Sequence, residues 1–394
     1  MNWREKTVRI LVAYLVSLFV LVAGPLPELG STEQNLLDGQ RQSLQERMIV
    51  PMEEAVFAMP EDRGTAAEAP GLGWLREDIF DKRGNTSAKQ SVMLTISAIG
   101  DCALGAEHTQ QGVTFHTVFD QQNGDYRYFF SGVEHILSKD DLTIANLETS
   151  LTDSEERADK SYLKYQYWIK GKPEYAHILA AGSVEAVSVA NNHIYDYGVQ
   201  GYQDTLAGLK EAGVDYFGFE HGLIKEIKGI KVGLLGFTDL STRIPINEVK
   251  KQVTERIQAQ AAETDLVIVS FHWGNEKEYR STARQRELAQ AAVDAGADLV
   301  LGHHPHVLQE IQEYNGKMIV YSLGNFCFGA NRNPYDRDTM IYQQSFTFQK
   351  GVLKHSSYRV IPCSMTTVEK GNDFRPRVLE GAEAERVLQK IRAR

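Results

Sequence analysis

Residues 298–309 read DLVLGHHPHVLQ. Leu299, Val300 and Leu301 form an apolar run without a polar break, which suits a strand buried on both faces. Three imidazoles follow it: His303, His304 and His306. Proline biases the residue before it towards extended backbone, and side chains two apart on an extended chain point the same way. The spacing therefore predicts that His304 and His306 face one centre.

Working outward, the same pattern of apolar run followed by polar cluster recurs upstream. VMLTISAI (92–99) precedes Gly100-Asp101-Cys102-Ala103-Leu104-Gly105, and DLTIAN (141–146) runs into Asn146-Leu147-Glu148. VEAVSVA (184–190) precedes Asn191-Asn192-His193, and DLVIVSF (265–271) precedes His272-Trp273-Gly274. KVGLLGF (231–237) is a further buried-strand run. Amphipathic helical patterns lie between them, at 199–212 ending on Gly213 and at 283–295 ending on Gly296. After residue 307 the chain turns strand-rich, with a hairpin expected at Asn315-Gly316. A last helix is expected at about 381–392. The fold class that follows is α/β, with mixed sheets covered by helices. Open α/β sheets form their sites beyond the carboxyl ends of strands, so the five clusters predict one shared site. Their carboxylates, amides and imidazoles are donors for one or two divalent metal ions, Mn, Fe, Zn or Mg.

Composition narrows the function classes. The 394 residues are 42% hydrophobic, enough to build a core and to exclude global disorder. Lys+Arg number 42 against 52 Asp+Glu, a net charge of −10, which argues against a nucleic-acid partner. Three scattered cysteines, Cys102, Cys327 and Cys363, exclude a disulfide scaffold and a thiolate zinc site. Residues 10–23 read ILVAYLVSLFVLVA, with Arg4, Lys6 and Arg9 before them. This predicts a signal anchor or transmembrane helix within residues 1–27, single-pass with its N-terminus inside and the main domain extracytoplasmic; cleavage and secretion is the alternative. Residues 28–90, rich in Pro, Gly, Glu and Ala, read as a partly disordered stalk with one helix near Gln34–Met48. Residues 91–363 form the folded domain, and 364–394 a C-terminal extension with a peripheral helix.

The ordered set Gly100-Asp101, Asn146-Leu147-Glu148, Ala190-Asn191-Asn192-His193, Phe271-His272-Trp273-Gly274, His303-His304-Pro305-His306-Val307-Leu308-Gln309 and Tyr321-Ser322-Leu323-Gly324-Asn325-Phe326 resembles the CapA/PgsA-type poly-γ-glutamate capsule biosynthesis family. That family is similar to calcineurin-like metallophosphoesterases. The resemblance covers residues 93–330 and continues weakly to about 363. It implies a layered α/β/β/α sandwich behind an N-terminal anchor. It implies Asp101 and His306 on a first metal, Asn192, His272 and His304 on a second, and Glu148 in the bridging place, with Asn146 and His303 as possible additions. It implies His193 as general acid or transition-state partner rather than a ligand, and Asp196, three residues on, could orient that imidazole. Two positions depart from the superfamily pattern: Ala103 stands where Asp-x-His has its histidine, and Glu148 where a bridging Asp is usual. Tyr195 and Trp273 read equally as walls facing substrate and as core. Cys102 and Cys327 read as small apolar residues under the loops.

Three functions fit this reading. The first is a membrane-anchored metal-dependent hydrolase acting on an anionic polymer such as poly-γ-glutamate, or on a phosphoester, in capsule biosynthesis or export. The second is a non-catalytic polyanion-binding subunit working with membrane synthase subunits. The third is a general secreted metallophosphoesterase.

Overall fold

The apolar runs become the central strands. β1 (Ser91–Ala103), β2 (Leu142–Leu147) and β3 (Ala186–Ser188) pair in parallel in one sheet. β4 (Ile230–Asp239), β5 (Leu266–Trp273) and β6 (Leu299–His303) do so in another. β7 (Asn325–Phe328) lies parallel to the far end of β1, with Asn325 opposite Asp101. The computed structural model describes residues 91–392; the expected anchor (1–27), the stalk (28–90) and its helix near Gln34–Met48 lie outside the described residues. Among the described residues no helix is long and apolar enough to cross a membrane.

Antiparallel strands complete both sheets, so each is mixed. Asp338–Gln349 pairs with β1 and Val352–Ser364 with Asp338–Gln349, which builds the first sheet to eight strands. The second sheet has six strands, and its hairpin turns at Asn315-Gly316, both at positive φ (49° and 73°) as a tight primed turn requires.

Strand alternation sorts side chains into layers. On β5, where every residue is buried, Leu266 and Ile268 join the core between the two sheets. Val267, Val269, Phe271 and Trp273 face the other way, towards α2 (Ile246–Ala261) and α3 (Ala283–Asp294). The outer face of the first sheet is covered in the same manner by segments that include α1 (Gly198–Glu211). The layers run helix, sheet, sheet, helix. Thr282 and Gln285 close a capping box on α3, and Gly296 at φ 118° ends it.

Three expectations need adjustment, and one open alternative, at Trp273, is decided. β1 does not stop at Ile99 but continues to Ala103, and an irregularity between Ala98 and Asp101 re-aims its tip. Gly100 permits this, since a Cβ there would lie 1.9 Å from the Gly324 carbonyl oxygen. The C-terminal helix, α4 (Gly381–Arg392), is docked rather than peripheral: Val387 and Ile391 are buried in the inter-sheet core, and Arg386 forms a two-pronged pair with Asp338. Arg377–Val378 adds an edge strand to the first sheet, so residues after 363 complete the domain's architecture. Trp273 is core and not a substrate wall: it is fully buried, stacks on Phe271 at 4.4 Å, and donates to the Tyr321 carbonyl at 3.0 Å.

Candidate metal centre

Parallel strands all end at one edge, and the polar clusters end with them. β1 supplies Asp101, the end of β2 supplies Asn146 and Glu148, and the turn after β3 supplies Asn191, Asn192 and His193. β5 supplies His272, and the end of β6 supplies His303, His304 and His306. Ligand atoms of Asp101, Glu148 and His272 lie within 4.8 Å of one another, and so do those of Glu148, His304 and His306. Glu148 belongs to both groups. The His272 and His304 rings lie 4.7 Å apart and His306 Nδ1 lies 3.4 Å from Asp101 Oδ2, the neighbours that the resemblance implies.

Asp101 is the hub. Its Oδ1 accepts from Asn146 Nδ2 at 2.9 Å and pairs with His303 Nδ1 at 3.0 Å. Its Oδ2 accepts from the His304 backbone N–H at 3.2 Å and lies 3.4 Å from His306 Nδ1. That backbone bond explains why the extended reading of His304-Pro305-His306 fails. His304 has φ 94° and His306 φ 58°, so the segment coils instead of extending. Such conformations cost about 1–3 kcal/mol each and persist where the surroundings hold them. Lys277 N–H adds to this by donating to the Pro305 carbonyl at 2.8 Å. Both imidazoles still reach the centre, with ring centroids 5.7 Å apart.

His272 Nε2 meets Asn192 Oδ1 at 2.8 Å and lies 3.6 Å from Glu148 Oε1. Asn192 therefore turns its amide oxygen inward beside a ring nitrogen. Asn146 does the opposite. Asn191 Nδ2 donates to the Leu147 carbonyl at 2.8 Å, and Asn191 Oδ1 accepts from the His193 N–H at 3.1 Å, which fixes the Asn191 amide. Asn191 Nδ2 also donates to Asn146 Oδ1 at 3.1 Å, so Asn146 presents its NH2 to the carboxylates. In this orientation Asn146 braces the carboxylates through its NH2. His303 lies outside both groups, its Nδ1 spent on Asp101.

At the edge of the centre, His193 Nδ1 bonds Asp196 Oδ2 at 2.8 Å. A carboxylate only accepts, so this ring nitrogen carries the proton. Tyr195 packs on Tyr202 at 4.6 Å and is half-buried. Ala103, where the superfamily pattern has a histidine, is fully buried with Ile169, Phe328 and Met365, and the Phe328 ring lies 5.0 Å from the His306 ring.

The electrostatics of the metal-free cage are lopsided. Burial opposes charge on Asp101, yet hydrogen bonds and charge from His303 and His306 hold it well below the usual carboxylate range. Burial pushes Glu148 well above that range, against the opposing charge of His306. Burial alone would lower His306, but Glu148 and Asp101 raise it to about 10. Burial and the His306 charge push His304 down to about 3, and burial with His304 holds His272 well below the ordinary value. The proton on His306 thus stands where a cation's charge is wanted.

The donors fit a divalent ion. Three buried polar atoms here lack any partner: Glu148 Oε1, His303 Nε2 and His304 Nδ1. Buried polar groups are otherwise paired, so the orphans on Glu148 and His304, both in the cage, mark electron-pair donors for an ion, while His303 Nε2 lies beside it. Asp101, Glu148 and His272, with Glu148, His304 and His306, would hold it. The thiols take no part: all three cysteines are free and buried, and burial pushes Cys102 and Cys363 up to about 12.

Sequence reasoning passed over Asn191, discussed above, and Asn325. Asn325 Oδ1 accepts from His306 Nδ1 at 2.8 Å. Both stood in quoted motifs, and only the pairing of β7 with β1 gives Asn325 its role. Outer partners that orient a ligating histidine are worth about 10–100-fold in metal affinity. Asn325→Ala is expected to weaken metal binding by that factor with little change in the fold, read by metal competition titration; unchanged affinity would show that His306 needs no such brace.

The family model described as bacterial capsule synthesis protein PGA_cap matches residues 95–330, more than half of the chain. The capsule biosynthesis protein CapA of Bacillus anthracis is 31% identical over 264 residues, covering 61% of this chain and 61% of that protein. The PGA biosynthesis protein CapA of Bacillus subtilis (strain 168) is 33% identical over 266 residues, covering 60% and 63%. The chain thus spans less than two thirds of the length of these curated relatives. A solved phosphatase from Mycoplasma pneumoniae aligns with 69% of this chain and 95% of its own at 13% identity, with a TM-score of 0.41, a likeness too low to bear on the site. With its family model matched across all the site-bearing strands, the chain belongs to the bacterial capsule synthesis protein family of CapA/PgsA type.

Proposed function

We propose that this chain is a divalent-metal hydrolase-type component of poly-γ-glutamate capsule biosynthesis or export, acting on an anionic polymer or a phosphoester. The observation that carries the reading is the cage itself: two buried carboxylates and three imidazoles, with orphaned atoms on Glu148 and His304, beside a His193–Asp196 pair. The chemistry a divalent ion supplies there is Lewis acidity, which polarises a substrate oxygen and acidifies water. The chain's own residues do the rest. Asp196 holds the His193 ring by Nδ1–H, which leaves Nε2 free; in the doubly protonated ring, Nε2–H gives its proton to the leaving group and the neutral Nδ1–H ring remains. Asn146 and Asn191 keep the carboxylates fixed, so that the ligands need no rearrangement. The apolar run at residues 10–23 supports anchoring to the cytoplasmic membrane with this domain outside.

A second reading is a non-catalytic polyanion-binding or export subunit. The observation favouring it is Ala103, which offers no ligand atom and is buried among apolar side chains. One experiment separates the two. Purified protein is assayed for bound Mn, Fe, Zn and Mg and for turnover of γ-glutamyl oligomers and aryl phosphodiesters. The hydrolase reading expects one or two ions per chain and a loss of about 10²–10⁴-fold in turnover for His193→Ala with metal retained. Full turnover by His193→Ala removes the proposed acid. Protein without metal, and without thermal stabilisation by added ions, favours the second reading.

A further inference from the structure

The residues between the short strand Ser150–Leu151 and the strand Ile169–Gly171 had no role in the site as described above. They form an irregular loop whose interior contacts converge on one buried carboxylate, that of Asp196. Lys160 Nζ donates to Asp196 Oδ1 at 2.5 Å, and the Ile169 N–H donates to Asp196 Oδ2 at 2.7 Å. The Ala158 N–H donates to the Asp196 backbone carbonyl at 2.9 Å. The Asp196 side chain is fully buried, and those of Lys160 and His193 are each 11% exposed.

We propose that Lys160 is a positioning residue for His193, acting through Asp196; the proposal rests on the reading of His193 as the proton donor. The geometry divides the carboxylate into two jobs. Oδ2 receives the His193 ring and the Ile169 N–H, while Oδ1 receives Lys160 alone among the hydrogen bonds described here. Without Lys160, one oxygen of a buried carboxylate has no partner. Such a group either turns to recover one or draws in water. Turning moves Oδ2 away from the ring nitrogen it holds, and a mobile water in place of a fixed ammonium leaves the carboxylate free to turn. Lys160 is itself held, because Nζ also donates to the Tyr167 carbonyl at 2.7 Å and so closes residues 160–167 into a small arc. Trp168 Nε1 donates to the Ala158 carbonyl at 2.8 Å and fastens the base of that arc. Tyr162, Tyr165 and Tyr167 project from it, exposed. Order in this loop is thereby coupled to the aim of His193.

The test uses the full-length, metal-loaded protein with two aryl phosphodiesters, one with a p-nitrophenyl leaving group and one with phenyl. A donor that is out of place matters most where the leaving group needs the proton. Lys160→Met is expected to lower kcat about 10–100-fold on the phenyl ester, with KM unchanged and a far smaller effect on the p-nitrophenyl ester. Lys160→Arg is expected to restore most of it, and Lys160→Met to add nothing to His193→Ala. A loss equal on both esters, or additive with His193→Ala, would mean a merely structural lysine and would overturn the proposal. A second readout needs no turnover: the downfield proton NMR signal of His193 Nδ1–H, assigned by its absence in His193→Ala. It is expected in the native protein and in Lys160→Arg, and to vanish in Lys160→Met at unchanged metal content. Lys160→Gln, of shorter reach, is expected to behave as Lys160→Met and serves if that variant does not fold. If the signal persists in the folded variant, the positioning role falls. If His193→Ala keeps full turnover while the signal depends on Lys160, the acid reading falls and the positioning role stands.

Discussion

Asp101→Ala is expected to lose bound metal and to destabilise the metal-free domain by about 3–5 kcal/mol, the penalty typical of breaking a buried charged pair from one side. Asp101 is fully buried and accepts from Asn146, His303 and the His304 backbone. Its removal leaves all three donors without their carboxylate partner. The bond to His304 also holds the backbone at φ 94°, so the coil that aims His304 and His306 loses its anchor. Asp101→Asn keeps the volume and part of the hydrogen bonding but removes the charge. It is expected to recover a good part of the stability and little of the metal. Urea unfolding in the presence of a chelator measures the first quantity, and elemental analysis the second. An Asp101→Asn protein that keeps its full complement of metal would contradict the hub role assigned to this residue.

The second large effect is in pH. A metal ligand must give up its proton, so binding releases protons and tightens as pH rises. In the metal-free protein Glu148 and Asp101 raise His306 to about 10, against the effect of burial. Between about pH 6.5 and 10 the folded protein therefore carries a proton that the unfolded chain has lost. The sign follows. The contribution of this group to metal-free stability is complete below about 6.5 and is lost as pH rises through about 10. Metal binding must displace that same proton. Apparent affinity is expected to rise about tenfold per pH unit across this window, equivalent to about 1.4 kcal/mol per unit. Glu148, also pushed up by burial, steepens the dependence wherever it too is protonated. Calorimetry in buffers of different ionisation enthalpy counts the protons, and His306→Ala is expected to flatten the slope. An affinity independent of pH between 7 and 9 would show that His306 is no ligand.

How much of this was legible beforehand differs between elements. The continuous apolar runs located β4, β5 and β6 to within a few residues, because a strand buried on both faces admits few polar side chains. The helix ending at Gly213 and the hairpin at Asn315-Gly316 were legible from local backbone chemistry, since positive φ there favours glycine and asparagine. The tip of β1 was not legible. Its bulge depends on how closely Gly100 approaches the backbone of Gly324, a residue more than two hundred positions away. The apolar face of α4, Ala384, Val387, Leu388 and Ile391, was legible from its spacing, but that it packs on the inter-sheet core was not, because its partners come from distant strands.

The site divides along the same line. The chemical types of Asp101, Glu148, Asn192, His272, His304 and His306, and their places at strand ends, belong to the sequence alone. So do the family motifs, because each cluster is contiguous along the chain. Which donor faces which was decided in three dimensions. The pairing of β7 with β1 recruited Asn325, the fixed amide of Asn191 set which way the Asn146 amide faces, and the bond from the His304 N–H to Asp101 coiled a segment that proline would have extended. The physical reason is one of range. Propensity and periodicity act over a few residues, whereas hydrogen-bond direction and burial are set by neighbours that only the packed sheets bring within 3 Å or so of one another.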